Sequence, residues 1–120
     1  MLEVPGLFVY LAEMDGDAVG TASSMIFPNI TYACAPTAII EAVVVAHSCR
    51  RQGVATSLLQ RILVDMRSAG CNKVQLLSHN RHSSDGAHRL YTSLGFEPEA
   101  EGSRLYLGQV PMAVKEARQA

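Results

Sequence analysis

Ala38-Ile39-Ile40-Glu41-Ala42-Val43-Val44-Val45-Ala46 runs into His47-Ser48-Cys49-Arg50-Arg51-Gln52 and then Gly53-Val54-Ala55-Thr56-Ser57-Leu58-Leu59. The first nine residues are almost wholly apolar and rich in β-branched side chains. That is the pattern of a central strand covered on both faces. Only Glu41 interrupts it. The next six residues form a polar, positively charged turn. From Gly53 the period changes: Val54, Ala55, Leu58, Leu59, Ile62, Leu63 and Met66 fall on one helical face, with Thr56, Ser57, Gln60, Arg61, Asp65 and Arg67 on the other. Gly70 is placed to cap the helix end. Lys73 to Ser78 reads as another strand, so strand, helix and strand predict a right-handed parallel crossover.

Outward from this unit, Leu7 to Ala12 and Ala18 to Phe27 read as strands joined by the tight turn Asp15-Gly16-Asp17, a predicted hairpin. Pro28-Asn29 and Cys34-Ala35-Pro36 bracket a loop. Ala87, Leu90, Tyr91 and Leu94 recur at i, i+3, i+4 and i+7, the buried face of a second helix. Ser84 or Asp85 is placed to cap it, and Gly95 ends it. Arg104 to Val110 is predicted as a last strand, and Lys115 to Ala120 as a polar tail. The expected fold is α/β: a mixed, largely antiparallel sheet with a central parallel pair and helices on both faces, in a single domain over residues 1–120.

Composition narrows the function classes. The 120 residues carry 10 basic and 11 acidic side chains, a net charge of −1. That balance gives no broad field to draw nucleic acid or an anionic membrane, so positive charge must act locally, most sharply at Arg50-Arg51. Hydrophobic residues make up 48%, enough to fill one core. No apolar stretch reaches membrane-spanning length, and the N-terminus lacks the pattern of a signal peptide. Cys34, Cys49 and Cys71 are odd in number and form no CxxC pair, which reads as reduced thiols in a cytoplasmic protein. His79, His82 and His88 are loosely spaced with no cysteine or carboxylate cluster beside them, and His82 sits in a polar loop, so a solvated loop is the better reading than a metal site. No Gly-x-Ser-x-Gly elbow accompanies Ser83-Ser84.

The strand-to-helix turn has its own chemistry. A helix start presents unpaired N–H groups and the positive end of the macrodipole. A glycine there lets an anion approach the backbone. Arg50 and Arg51 add charge, and Thr56 a hydroxyl. Taken alone, the same residues also fit an ordinary glycine turn and a solvated arginine pair. Neither the Walker pattern nor the three-glycine dinucleotide fingerprint is present.

In its surroundings the sequence resembles the GNAT superfamily of N-acetyltransferases. Their pyrophosphate motif, Gln/Arg-x-x-Gly-x-Gly/Ala, is met by Arg50, Gly53 and Ala55 in Arg50-Arg51-Gln52-Gly53-Val54-Ala55. Glu41-Ala42-Val43-Val44-Val45 looks like the family strand that pairs with the pantetheine arm. Ala87-His88-Arg89-Leu90-Tyr91-Thr92-Ser93-Leu94-Gly95-Phe96 looks like the segment Ala-x-x-x-Tyr-x-x-Leu-Gly-Phe. The resemblance runs from about Leu7 to Val110.

It implies acetyl-coenzyme A as co-substrate and direct transfer of the acetyl group to the amine of a small molecule or peptide. Main chain of Val43, Val44 and Val45 would meet the arm and the oxyanion, and Arg50, Arg51, Gln52, Gly53, Val54, Ala55 and Thr56 the pyrophosphate. Two readings of Glu41 stand: a general base whose burial strengthens its hold on a proton, or a carboxylate at a sheet end paired with an arginine. Strand alternation sets Glu41, Val43 and Val45 on one face unless a bulge intervenes. Tyr91 is either the acid that protonates the leaving thiolate or a core tyrosine. Relatives often carry Asn where this chain has Ser84, with Asn80 nearby as a substitute contact. They usually begin with a strand and one or two helices ahead of the hairpin, which help form the acceptor site; here either the domain is naturally short or a partner chain completes it, with a homodimer the expected way to cover that side. The rival readings are a non-catalytic acyl-CoA-binding module and a dimeric interaction protein that keeps the fold.

Overall fold

The computed structural model describes residues 4–28, 32–78 and 86–107. Along them run strands β1 (Leu7–Met14), β2 (Asp17–Phe27) and β3 (Thr37–Val45), helix α1 (Val54–Ser68), strand β4 (Lys73–Leu76) and helix α2 (Ala87–Ser93). Short 3-10 turns at Tyr32–Cys34 and His47–Cys49 flank β3. The sheet order is β1-β2-β3-β4, antiparallel apart from the parallel pair β3 and β4. This is the mixed α/β sheet that the sequence predicts.

The hairpin turns on Asp15 and Gly16, both left-handed at φ 55° and 85°. Two such residues give a turn whose twist matches that of the strands, so pairing resumes at once with Met14 opposite Asp17. The strands therefore run closer to the turn than the apolar pattern alone predicts.

Helix α1 buries Val54, Leu58, Leu59, Ile62 and Met66, the face set by its periodicity. They close a core with Val19, Ala22, Ala38 and Ile40 of the sheet. Gly70, at φ 82°, ends the helix as predicted: its N–H donates to Arg67 O and the Cys71 N–H to Met66 O, both at 3.1 Å. That double bond pattern satisfies carbonyls the helix would leave open. Tyr10 of β1 donates its hydroxyl to Asp65 Oδ2 at 2.9 Å, tying hairpin to helix. Gly20 of β2 brings sheet and helix closest. A Cβ there would lie 2.8 Å from Val54 Cγ1 and 3.2 Å from the Val44 carbonyl.

The face of the hairpin opposite α1 remains apolar and open among the described residues. Val9 and Leu11 alternate with core-facing Tyr10 and Ala12 and are 52% and 59% exposed. Phe27 and Val44 extend this face.

Two expected elements differ. Strand β4 stops at Leu76, short of Ser78. Arg104 to Leu107 forms no strand, and Gly108 to Val110 lie outside the described residues. A β-propensity pattern supplies half of a strand; the other half is a neighbour offering N–H and C=O groups. Among the described residues no such neighbour accompanies Arg104 to Leu107, and Leu105 and Leu107 are each 84% exposed.

Candidate active site

Strands β3 and β4 pair from Thr37 opposite Lys73 to Ile40 opposite Leu76. Beyond that point they part. β3 continues to Val45, held by β2 on its other side, with Val44 opposite Thr21 and Val45 opposite Gly20. Its edge toward β4 therefore presents main-chain groups without a strand partner among the described residues. The parting opens a cleft of about 320 Å³, lined by Ile40 to Val43 on one side and Leu76 to Ser78 on the other, with Tyr91, Arg104 and Tyr106.

A bulge shapes the β3 wall. Glu41 lies opposite Ser23 and Val44 opposite Thr21, so two β3 residues face Ala22 alone. Ala42 takes up the extra residue at φ 56°. In consequence Ile40 and Val43 both pack on the core side although three residues apart. Simple alternation, which would group Glu41 with Val43 and Val45, is broken. Glu41 is exposed, not buried, and lines the cleft. Its backbone carbonyl accepts from Ser23 Oγ at 3.2 Å. Among the described residues its carboxylate has no ion pair, so the reading in which an arginine neutralises it finds no partner there.

At the end of β3 the chain makes the His47–Cys49 turn, with Cys49 N–H donating to Ala46 O at 2.8 Å. Arg51 is left-handed at φ 65° and Gly53 at φ 84°. Gly53 is the N-cap of α1 and supplies no side-chain cap. Val54, Ala55 and Thr56 thus start a 15-residue helix whose first N–H groups have no side-chain acceptor. A Cβ on Gly53 would meet nothing within 4 Å, so the ground before the helix is open. Arg50 and Arg51 flank it, exposed and without an ion pair among the described residues. Gln52 turns back, its Nε2 donating to Ser48 O at 3.4 Å.

Helix α2 brings Tyr91 to the cleft. Its end is fixed as α1's is: Gly95, at φ 101°, donates to Thr92 O at 3.0 Å and Phe96 N–H to Tyr91 O at 3.1 Å. The bond pattern carries Phe96 back beside Tyr91, with ring centroids 6.1 Å apart in an edge-to-face contact. The helix begins after Gly86; the expected caps Ser84 and Asp85 lie outside the described residues, as does Asn80. His88 Nε2 stands 3.0 Å from Ser78 Oγ, joining α2 to the end of β4.

A free strand edge beside a helix start that asks for an anion suits one extended ligand with phosphates at one end. The sequence pattern of the acetyltransferase (GNAT) family matches residues 2–96. The chain belongs to the GNAT family. A GNAT relative, glucosamine 6-phosphate N-acetyltransferase from Trypanosoma brucei brucei, is 35% identical over 99 residues. The match takes in 82% of this chain and 64% of the relative, so this chain spans under two thirds of that protein's length. Among solved structures, a protein from Agrobacterium tumefaciens str. C58 assigned as an acetyltransferase is 33% identical, with a TM-score of 0.83 over 89% of this chain and 73% of its own. A Trypanosoma brucei acetyltransferase, also 33% identical, gives a TM-score of 0.74 over 85% and 70%. GNAT acetyltransferases generally use acetyl-coenzyme A as co-substrate. The chemistry of the residues is compatible with that molecule: Arg50 to Thr56 bring two guanidiniums and main-chain N–H groups to a helix start, and Val43 lines the cleft while Val44 and Val45 continue the strand beyond it.

Of the residues singled out from sequence, the fold gathers Glu41, Val43 and Tyr91 around one cleft and sets Arg50 to Thr56 at the end of the same strand. Ser78, Arg104 and Tyr106 also line the cleft and were not legible as site residues. Arg104 and Tyr106 read only as part of a strand pattern, and nothing local to Ser78 marks it.

Proposed function

We propose that this chain binds acetyl-coenzyme A and transfers the acetyl group to an amine in a ternary complex. The observation that carries the reading is the parting of β3 and β4 after Ile40 and Leu76, next to an uncapped α1 flanked by two arginines. The free β3 edge can pair with the amide-bearing arm as a strand would. The α1 N–H groups and the Arg50 and Arg51 guanidiniums can hold the pyrophosphate.

The chemistry then follows from the cleft lining. The amine nitrogen attacks the thioester carbonyl carbon, and the C–S bond breaks. A main-chain N–H of Val43 to Val45 holds the oxygen as it gains charge. Glu41, exposed at the cleft, takes the amine proton directly or through a water. Tyr91 gives its proton to the departing sulfur. The products are the acetamide and free coenzyme A thiol. Cys34, Cys49 and Cys71 are unpaired, which supports a reducing, cytoplasmic setting, and none of the three lines the cleft, which supports acceptor attack without an acyl-enzyme. The open apolar face of Val9, Leu11 and Phe27 supports a homodimer.

Release of coenzyme A thiol, followed against amino sugars, small amines and peptide amines, tests the transfer. Amine-dependent release matched by N-acetyl product is expected. No thermal shift with acetyl-coenzyme A and no release with any amine would overturn the reading. The exposure of Glu41 favours one alternative, a non-catalytic acyl-CoA-binding module. Its mark would be a thermal shift with no thiol release. Static light scattering at micromolar concentration tests the dimer, which a monomer mass would exclude.

A further inference from the structure

Glu41 and Arg104 line the same cleft, one on β3 and the other on the segment after α2. They do not pair with each other, and among the described residues neither has any other ion pair; Arg61 with Asp65 forms one elsewhere, on α1. Arg104 Nη1 donates to Tyr106 Oη at 3.4 Å, which leaves other guanidinium donors available. No other lining residue of the cleft carries a formal charge. One cleft thus holds a carboxylate and a guanidinium apart, with Tyr91 beside them.

From this arrangement we infer that the acceptor is a primary amine that also carries an anionic group, phosphate or carboxylate, and that Arg104 is the residue selecting it. The inference rests on the amine-acetyltransferase reading. An ammonium approaching Glu41 is attracted, whereas a guanidinium nearby repels a simple cation. An anion on the same molecule reverses that repulsion and can accept two parallel N–H bonds from Arg104. The amine is then delivered with its nitrogen near Glu41 and Tyr91 and its anion held away from the thioester. Both anions present oxygens suited to the fork, so the geometry names the charge and the test separates the two sources.

The test compares kcat/KM for matched acceptors that differ only in the anion: glucosamine 6-phosphate against glucosamine, and β-alanine against β-alaninamide. The native chain is expected to prefer the anionic member of at least one pair by about tenfold or more, the size of one charge-assisted hydrogen bond. Arg104→Gln collapses that ratio toward one, and Arg104→Lys restores part of it. Because the readout is a ratio within one variant, a partly folded sample does not mimic it. Thiol release with equal use of both members, or an unchanged ratio in Arg104→Gln, overturns this inference and leaves acetyl transfer standing. No thiol release with any amine and no thermal shift with acetyl-coenzyme A removes both. A preference confined to the phosphate pair assigns the anion as phosphate, and one confined to the carboxylate pair as carboxylate.

Discussion

Ile40 and Leu76 are the last residues at which the two parallel strands meet, and the cleft begins at that pair. One strand runs on and the other ends, so the site needs no cavity carved from the core. A substitution that extended β4 pairing past Leu76 would close the cleft without touching Glu41 or Tyr91, the residues proposed to act there.

At Gly53 the prediction turns on charge. The position is left-handed, so any side chain there is strained at a cost of about 1–2 kcal/mol. Gly53→Glu and Gly53→Lys share that strain. The glutamate repels a pyrophosphate at the α1 start and the lysine attracts it. Thermal-shift titration with acetyl-coenzyme A is expected to lose its response in the glutamate variant and keep it in the lysine variant. Equal responses in the two would move the pyrophosphate elsewhere.

Tyr91→Phe keeps the ring that meets Phe96 edge to face and removes the hydroxyl. Its kcat is expected to fall by about 100-fold, the lower range for a lost acid, with acetyl-coenzyme A affinity within a factor of two or so. Steady-state kinetics beside calorimetry separates the two quantities. A full kcat would make Tyr91 a packing residue.

Those two sites were legible in the sequence to different degrees. Gly53, Gly70 and Gly95 announce themselves because a helix end is decided by a few neighbouring residues. The apolar run from Ala38 and the period after Gly53 are local in the same way. The bulge at Ala42 is not: it exists because β2 offers Ala22 alone opposite two residues of β3. The early end of β4, and the loose course of Arg104 to Leu107, depend on which strands lie alongside. For that reason Glu41 was visible as the odd charge in an apolar run while its exposure was not. Arg104 and Tyr106 entered the cleft from a segment whose pattern suggested only a strand.

The Tyr10 hydroxyl gives a pH signature. Burial first, and then its bond to Asp65, push its pKa up from 10.0 to about 12. The folded chain therefore holds this proton more tightly than the unfolded chain. The stabilisation is complete below pH 10 and drains away as pH rises from about 10 to about 12. Urea melts across that window should show falling stability. Tyr10→Phe should flatten the part due to this group and cost about 1 kcal/mol at neutral pH. A native profile unchanged by the substitution would assign the alkaline loss to other groups.

Leu59 and Ile62 have no exposed surface, and both sit where α1 meets the sheet. Leu59→Ala removes packing that its neighbours cannot easily replace. A loss of about 2–5 kcal/mol in equilibrium denaturation is expected. Val64→Ala, on the exposed side of the same helix, is expected to change stability by about 0.5 kcal/mol or less.

Gly20 gives the scaffold a gauge. Its missing side chain lets β2 sit against Val54, the first residue of the helix proposed to hold the pyrophosphate. One added carbon would lift that helix start and shift the neighbouring Arg50 and Arg51 relative to the strand edge. In the proposed site, the reach between the strand edge and the helix start can thus be retuned from the floor of the sheet. A search for variants with altered ligand length should include this silent position alongside the loop whose height it sets.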